Sequence, residues 1–411
     1  MSSKKNILLI VYNLAEGGAQ RLASNLSLEL SKYHNIYIVI NENNIDYPYN
    51  GKLFILNSKA SNNLIRKFFA FIYRIKRIKE IKKQVKADYT ISFLEDSNII
   101  NLCANCGDKK IISLHSDYPL SHMKGLIKIV YFILYKIFYK KADNIIVVSK
   151  YTKKLLIDNL KIKENKIKVI YNLIDIDSIN THKIKPLDFF EEYFKNRKVI
   201  INMGRLTYQK GQWHLLRAFK QLKDIYPDIA LVLLGEGDLR EYLLEMSKSL
   251  KFKTYNIWDN MNLNDNYDVY FLGFQKNPFS LMGLSKFFVF SSLWEGFPMA
   301  LLEAMASGLP VISTDCYSGP REILAPNTDF LYKTKDLEKA DYGILIPEGD
   351  KKYKKYNDPL IKMEISLIGA MKLLLEDENL YKHYKEQSLK RAKDFDKKEI
   401  MNKWLETIEL C

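Results

Sequence analysis

At 411 residues the chain is longer than one hydrophobic core holds comfortably, so two domains are expected. Hydrophobic residues make up 47%, enough to fill both and to exclude a wholly disordered chain. With 63 basic and 48 acidic residues the formal charge is +15, which points to a polyanionic partner: nucleic acid, an acidic membrane or an anionic substrate.

Two series of short apolar segments read as strands, each followed by helical periodicity. The first comprises 6–12, 36–40, 88–93, 110–114, 144–148 and 168–171, all rich in Ile or Val. The second comprises 198–203, 230–234, 269–272, 287–290, 310–313 and 343–346, with helical stretches such as 213–222 and 239–250 between them. Strands alternating with helices imply two doubly wound parallel sheets of Rossmann-like type, in α/β domains facing across a cleft. Residues 180–197 are polar and interrupted by Pro186, as a linker would be. The expected division is 1–182, a linker at 183–197, then 198–393, with 394–411 a helix returning to the first domain. Met1–Lys5 run straight into a strand without an apolar stretch and cleavage site, which argues against a secretory signal. Four cysteines do not make a disulfide framework, so a reducing, cytoplasmic setting is expected. Cys103 and Cys106 form a CxxC that reads either as two small buried residues or as a zinc or redox pair.

Ligands of such sheets bind beyond the carboxyl ends of the strands. The notable residues fall there. Gly17-Gly18 follows the first strand at a helix start, where backbone can approach an anionic group, although an ordinary turn would look the same. It is not the GxGxxG of a dinucleotide fold. Arg205 and Lys210 leave the strand ending at Met203, a guanidinium fork and a point charge able to neutralise a diphosphate. His115 ends the 110–114 strand and reads either as a site residue or as a structural one. The segment from Ser291 to Ala304 is the most informative. After a short strand it places Glu295 in a Gly/Pro turn with Gly296 and Phe297, and Glu303 eight positions later on a helix that Pro298 opens. Free amides there suit phosphate, and two carboxylates suit sugar hydroxyls.

Taken in order, Gly17-Gly18, Gly204-Arg205 with Lys210-Gly211, Gly235-Glu236-Gly237, and Glu295 and Glu303 with seven residues between them resemble the retaining GT-B glycosyltransferases of family 4. The segment Ser313–Glu322 is similar to that of bacterial members, and the resemblance runs over nearly the whole chain. It implies a nucleotide-sugar donor whose ribose Glu303 holds. Glu295 with the amides after Gly296 would take the transferred sugar, and Arg205, Lys210 and the Gly17-Gly18 amides the diphosphate. It implies that His115 borders the reaction centre and that anomeric configuration is retained at the front face, without an enzymic nucleophile. The resemblance also implies a first domain that faces the acceptor.

Paired carboxylates also fit a glycosidase. Eight residues of helix rise by about 12 Å, more than the roughly 5–9.5 Å between glycosidase carboxyls. Glu295 falls in the turn, so the ruler is loose. Asp175-Ile176-Asp177 has the form of a metal-binding Asp-x-Asp but reads better as a surface turn, and no obligatory metal or other cofactor is expected. A nucleotide-sugar hydrolase or epimerase on this architecture, or a non-catalytic peripheral membrane protein, remains an alternative.

Two segments are basic and amphipathic. Leu64, Phe68, Phe71, Ile75 and Ile78 recur at helical spacing among Arg66, Lys67, Arg74 and Arg77. Lys124, Lys128, Lys136 and Lys140 share one half of a second wheel, with Leu126, Val130, Leu134, Ile137 and Phe138 on the other. Neither has the apolar length to span a bilayer. They suit either docking on anionic lipid, with a lipid-linked glycan as acceptor at the inner membrane face, or packing on the domain core. The chain carries no recognised nucleic-acid motif, so nucleic acid is not the expected partner.

Overall fold

The computed structural model describes residues 4–15, 17–58, 63–115, 125–185, 190–194, 196–259 and 266–409. The chain forms two compact units, one of residues 1–173 with 398–411 and one of residues 174–397.

In the first unit the strands are β1 (Asn6–Val11), β2 (Asn35–Ile40), β3 (Lys52–Ile55), β4 (Tyr89–Phe93), β5 (Lys109–Leu114), β6 (Asn144–Val147) and β7 (Ile167–Val169). The helices are α1 (Gly18–Leu30), α2 (Leu64–Val85), α3 (Glu95–Cys103), α4 (Gly125–Phe138) and α5 (Lys150–Leu160). The strands make one parallel sheet in the order β3-β2-β1-β4-β5-β6-β7. Its apolar runs are covered on both faces: Ile7, Leu9 and Val11 of β1 pack into one cluster, Leu8 and Ile10 into another. Asn63 caps α2 by accepting from the Ile65 amide at 2.9 Å, and Ser149 caps α5 through the Thr152 amide at 3.0 Å.

The second unit contains α6 (Ile176–Lys183), α7 (Phe190–Phe194), α8 (Gln212–Lys223), α9 (Arg240–Ser249), α10 (Pro278–Gly283), α11 (Met299–Ala306), α12 (Pro320–Leu324), α13 (Lys362–Glu376) and α14 (Glu378–Ala392). Its strands are β8 (Lys198–Met203), β9 (Ile229–Leu234), β10 (Thr254–Asn256), β11 (Val269–Phe271), β12 (Phe287–Phe290), β13 (Val311–Thr314), β14 (Glu338–Ala340) and β15 (Gly343–Ile346). They are ordered β10-β11-β9-β8-β12-β13-β15-β14, all parallel except β14. A final helix, α15 (Lys397–Glu409), belongs to the first unit, where Ile400, Met401, Trp404 and Ile408 enter the cluster on β1. The two crossing strands of chain run side by side: Ile174 and Asp396 form a parallel bridge, and the Lys397 amide donates to the Ile174 carbonyl at 2.7 Å.

Three strands have no counterpart in the sequence reading: β3, β10 and β14 are each three or four residues long and partly exposed at a sheet edge. Asp175, whose Asp-x-Asp form reads better as a surface turn than as a metal site, caps α6 by accepting from the Ser178 amide at 2.9 Å. The polar 180–197 segment is partly helical, with α6 running to Lys183 and α7 at Phe190–Phe194; Pro186 lies outside the described residues.

The basic helices expose more apolar surface than amphipathic packing requires. α2 sends Ile78, Ile81 and Val85 into the core, but Ile65, Phe68, Phe69 and Ile72 of its first half are exposed. α4 anchors on Tyr135, and Ile129, Val130, Ile133 and Ile137 are exposed beside Lys128. Phe68, Val130 and Ile137, on apolar faces that suited either lipid docking or core packing, are surface residues. Lys124 and the Leu126 side chain lie outside the described residues. Among the described residues no helix is long and apolar enough to cross a membrane.

Candidate active site

In a doubly wound sheet the first strand of the fold has its successors on both sides, and the loops after the two diverging strands leave a crevice. In the second unit those strands are β8 and β12. The loop after β8 carries Arg205 and Lys210; the loop after β12 carries Glu295, Gly296 and Phe297. They are stitched together. The Leu293 amide donates to the Gln209 carbonyl at 2.8 Å, Gln209 Nε2 donates to the Trp294 carbonyl at 2.8 Å, and Ser291 Oγ donates to the Lys210 carbonyl at 2.9 Å.

Lys210 Nζ lies 2.6 Å from Glu295 Oε1, with side chains 16% and 8% exposed. The ammonium also stands 5.3 Å from the centre of the Phe290 ring. Enclosure makes this pair matter, because charges held out of water interact far more strongly than exposed ones. Arg205 is exposed at the head of the same loop. Glu303 sits partly exposed on α11, about 6 Å along the axis from Met299. Only that part of the Glu295–Glu303 interval is helical, because α11 starts at Met299 with Pro298 as its cap. Phe297 is buried with its ring 5.9 Å from Phe395, so it offers the site its backbone rather than its side chain.

Neighbouring loops tighten this edge. Gly235 has φ +130° and passes so close to the β8 loop that a Cβ would lie 2.1 Å from the Gly204 carbonyl oxygen. Gly319, at φ +108°, leaves no room for a Cβ against Pro298 Cδ, 2.3 Å away. Beyond β13, Arg321 binds Asp315 and Glu338, each at 2.7 Å from Nη2, and holds the following turn. Burial, with the Glu295 charge adding to it, pushes the Cys316 thiol up to about 12, which makes it an un-ionised wall of the site.

The sequence reading missed Glu348, after β15, whose Oε2 is buried without a partner among the described residues. It also missed a lock behind the Lys210 loop: His214 and Arg217 on α8 both bind Glu364 Oε1 on α13, at 2.8 Å each. Glu348 lies beside Gly349 in the loop after the 343–346 strand, whereas His214, Arg217 and Glu364 lie within helices. For Glu348 the signal was its place at the carboxyl end of the 343–346 strand; for the lock it was a charged residue inside an apolar helical pattern.

Gly17, Gly18 and His115 belong to the first unit. Gly17 caps α1 at φ 120° and Gly18 opens it, both exposed, with no side chain bonded to the helix end. His115 follows β5. Its Nε2 is 2.9 Å from Ser113 Oγ, its Nδ1 3.3 Å from Asn172 Oδ1, and its ring lies 5.9 Å from that of Phe93. Burial pushes its pKa down to about 4, against the opposing hydrogen bond to Asn172, so the imidazole is neutral at pH 7. A depressed histidine leaves the unfolded chain binding more protons between its ordinary value and the folded one. Stability held above pH 6.5 is therefore lost on acidification towards 4, by about 2–3 kcal/mol. In His115→Gln that part of the pH dependence should be absent from unfolding curves; an unchanged curve would show that His115 does not cause it.

Cys103 and Cys106 are both free thiols and half-buried rather than buried, and among the described residues no cluster of metal-ligating side chains forms. Burial raises the Cys103 pKa.

The family model for "Glycosyltransferase Family 4" matches residues 16–178, and that for "Glycosyl transferases group 1" matches 184–357. The chain is 37% identical over 392 residues to an uncharacterized glycosyltransferase of Methanocaldococcus jannaschii, covering 92% of each. It is 30% identical, over 95% of its length and 96% of the relative's, to N-acetylgalactosamine-N,N'-diacetylbacillosaminyl-diphospho-undecaprenol 4-alpha-N-acetylgalactosaminyltransferase of Campylobacter jejuni. Among solved structures, Anabaena HepE in complex with UDP and glucose superposes with a TM-score of 0.70 at 18% identity, covering 98% of this chain and 99% of that one. With two parallel-sheet units and these matches along its length, the chain belongs to the GT-B glycosyltransferases of the family 4 type.

Proposed function

We propose that this glycosyltransferase is a retaining hexosyltransferase that moves a sugar from a nucleotide-sugar donor to a polyprenyl-diphosphate-linked glycan at the cytoplasmic face of the membrane. The observation that carries the reading is the enclosed Lys210–Glu295 pair at the β8/β12 switch point, where a cation for phosphate and an acceptor for sugar hydroxyls are 2.6 Å apart. In this reading Lys210 and Arg205 meet the diphosphate, whose charge grows as the anomeric C–O bond breaks. Glu295, with the Gly296 and Phe297 amides, orients the sugar, and Glu303 takes the ribose. The acceptor oxygen bonds to the anomeric carbon on the face the phosphate leaves, and its proton passes to that phosphate. Neutral His115 serves as a hydrogen-bonding group near the acceptor, and the Gly17-Gly18 helix start suits an anionic group. Two protein cations supply the leaving-group stabilisation, so activity is expected to survive chelation of divalent ions.

The diphospho-undecaprenol acceptor in the Campylobacter relative's name, and the UDP and glucose bound by HepE, support this assignment of substrates. The test is a transfer assay with candidate nucleotide sugars and a short-chain prenyl-diphosphate sugar, reading the anomeric coupling of the product by NMR. An α-linked product from an α-donor supports retention, and a β-linked product sinks it. Free sugar or a 2-epimer released without acceptor would favour a hydrolase or epimerase.

The exposed Ile65, Phe68, Phe69 and Ile72 of α2 and Ile129, Val130, Ile133 and Ile137 of α4 lie among Arg66, Lys67 and Lys128. Apolar side chains entering the headgroup boundary beside basic ones meeting anionic lipid make a membrane-docking face. The protein should float with vesicles containing phosphatidylglycerol at low salt and less so at high salt, and Phe68→Ser/Phe69→Ser/Ile133→Ser should abolish flotation. Absence of wild-type flotation at low salt would refute docking.

A further inference from the structure

A cavity of about 250 Å³ opens inside the first unit at the carboxyl ends of β1 and β4, the switch point of that sheet. Ile10, Val39, Leu56, Ile78 and Ile100 give it apolar walls. Two lining side chains carry a buried polar atom that has no partner among the described residues: Asn41 Oδ1 and Arg74 Nε. The Asn41 amide is oriented by its other end, since Nδ2 donates to the Ser58 carbonyl at 2.9 Å, which leaves Oδ1 as the unpaired atom. Both side chains act on Tyr12, which also lines the cavity and donates to Glu42 Oε1 at 2.5 Å.

A buried orphan acceptor and a buried orphan donor each cost stability, so a ligand that pairs both at once gains from both. We propose that this cavity binds the acetamido group of the acceptor's sugar: its N–H donates to Asn41 Oδ1, its C=O accepts from Arg74 Nε, and its methyl lies against the apolar wall. A plain hydroxyl cannot fill the wall, and a carboxylate has no N–H for Asn41 and would face Glu95 and Asp96, which line the same cavity. The volume falls below the roughly 300 Å³ at which pockets for whole drug-sized ligands begin, which fits one substituent-bearing ring rather than an oligosaccharide. The inference rests on the reading of this protein as a transferase to a lipid-linked sugar, and makes it specific for N-acetylated acceptors.

The experiment compares prenyl-diphosphate acceptors bearing N-acetylglucosamine, glucose or glucuronic acid, by the ratio of kcat/KM values. Wild type should favour the acetamido acceptor by about 100-fold, because a site built to pair an N–H and a C=O rejects analogues lacking them. In Arg74→Met and Asn41→Leu the ratio should fall to within about threefold of unity. No wild-type preference, a preference for the glucuronic acid acceptor, or a ratio that both variants leave intact overturns the proposal. Saturation-transfer NMR with methyl N-acetylglucosaminide, run without donor, separates this from failure of the transferase reading. Loss of the acetamide methyl signal in Arg74→Met, in a protein that transfers to no acceptor, upholds the cavity and refutes the transferase; a signal equal in wild type and variant refutes the cavity whatever the activity.

Discussion

Lys210→Met will lower kcat by about 10²–10³-fold, the loss that follows removal of one group aimed at charge developing in a transition state. The residue is held in place from three directions. Its stem packs 3.4 Å from where a Cβ on Gly204 would stand, its ammonium bonds Glu295 at 2.6 Å, and its carbonyl receives Ser291 Oγ. Such fixation means that little reorganisation is needed as the diphosphate leaves. The same substitution strands Glu295, 6% exposed, without its cation, at a cost of about 3 kcal/mol in folding stability. Stability and catalysis are separable: Lys210→Met/Glu295→Gln removes the stranded charge and should recover most of the lost stability, while kcat stays low. Recovery of kcat in the double variant would mean that Lys210 acts only through folding.

Glu364→Leu will lower the melting temperature of the second unit by about 10 °C, equivalent to about 3–5 kcal/mol for a unit of this size. Glu364 is fully buried and accepts from His214 Nδ1 and Arg217 Nε at 2.8 Å, from Arg217 Nη2 at 3.1 Å and from the Ile361 amide at 3.0 Å. Burial alone would raise its pKa, but the bonds from His214 and Arg217 outweigh burial and hold it below the ordinary 4.5. A depressed carboxylate contributes stability above its unfolded value and loses it as pH falls through the folded one. Wild type should therefore weaken below about pH 4.5, and Glu364→Leu should lack that acid limb. Because α8 begins directly after Gly211, loosening its lock on α13 should also raise KM for the donor by releasing the Lys210 loop. Calorimetry across pH 3–7 and initial-rate kinetics check both; an acid limb identical in the two proteins would contradict the assignment.

The parts of this molecule that were readable before its structure are those where one local rule dominates. Central strands such as β1 and β8 are continuous apolar runs because both faces are covered, and no other state suits Ile7–Val11 or Val199–Ile201. Edge strands escaped because β3 and β14 are short, partly exposed and mixed in composition, so their pairing comes from neighbours and not from their own pattern. Lys210 and Glu295 were recognisable from turn chemistry at strand ends, although 85 residues separate them and nothing local announces their contact. Glu364, 150 residues from His214, and the Asn41–Arg74 cavity were invisible for the same reason: each depends on which side chains the topology brings together. For helices α2 and α4 the sequence left open whether the apolar faces pack on the core or meet lipid. Their spacing marks two faces, but their tyrosines and isoleucines divide between core and surface, with Tyr135 buried and Ile133 exposed only two residues away.

The central claim is that the carboxyl edge at β8 and β12 binds the diphosphate of the donor. Calorimetric titration of the full chain with UDP and with GDP tests it most directly. At least one should bind the wild type, and Arg205→Ala/Lys210→Ala should weaken that affinity by about 100-fold or more, the loss expected for two charge-assisted phosphate contacts. Equal affinity in wild type and double variant would contradict the account, because it would place the diphosphate away from these cations.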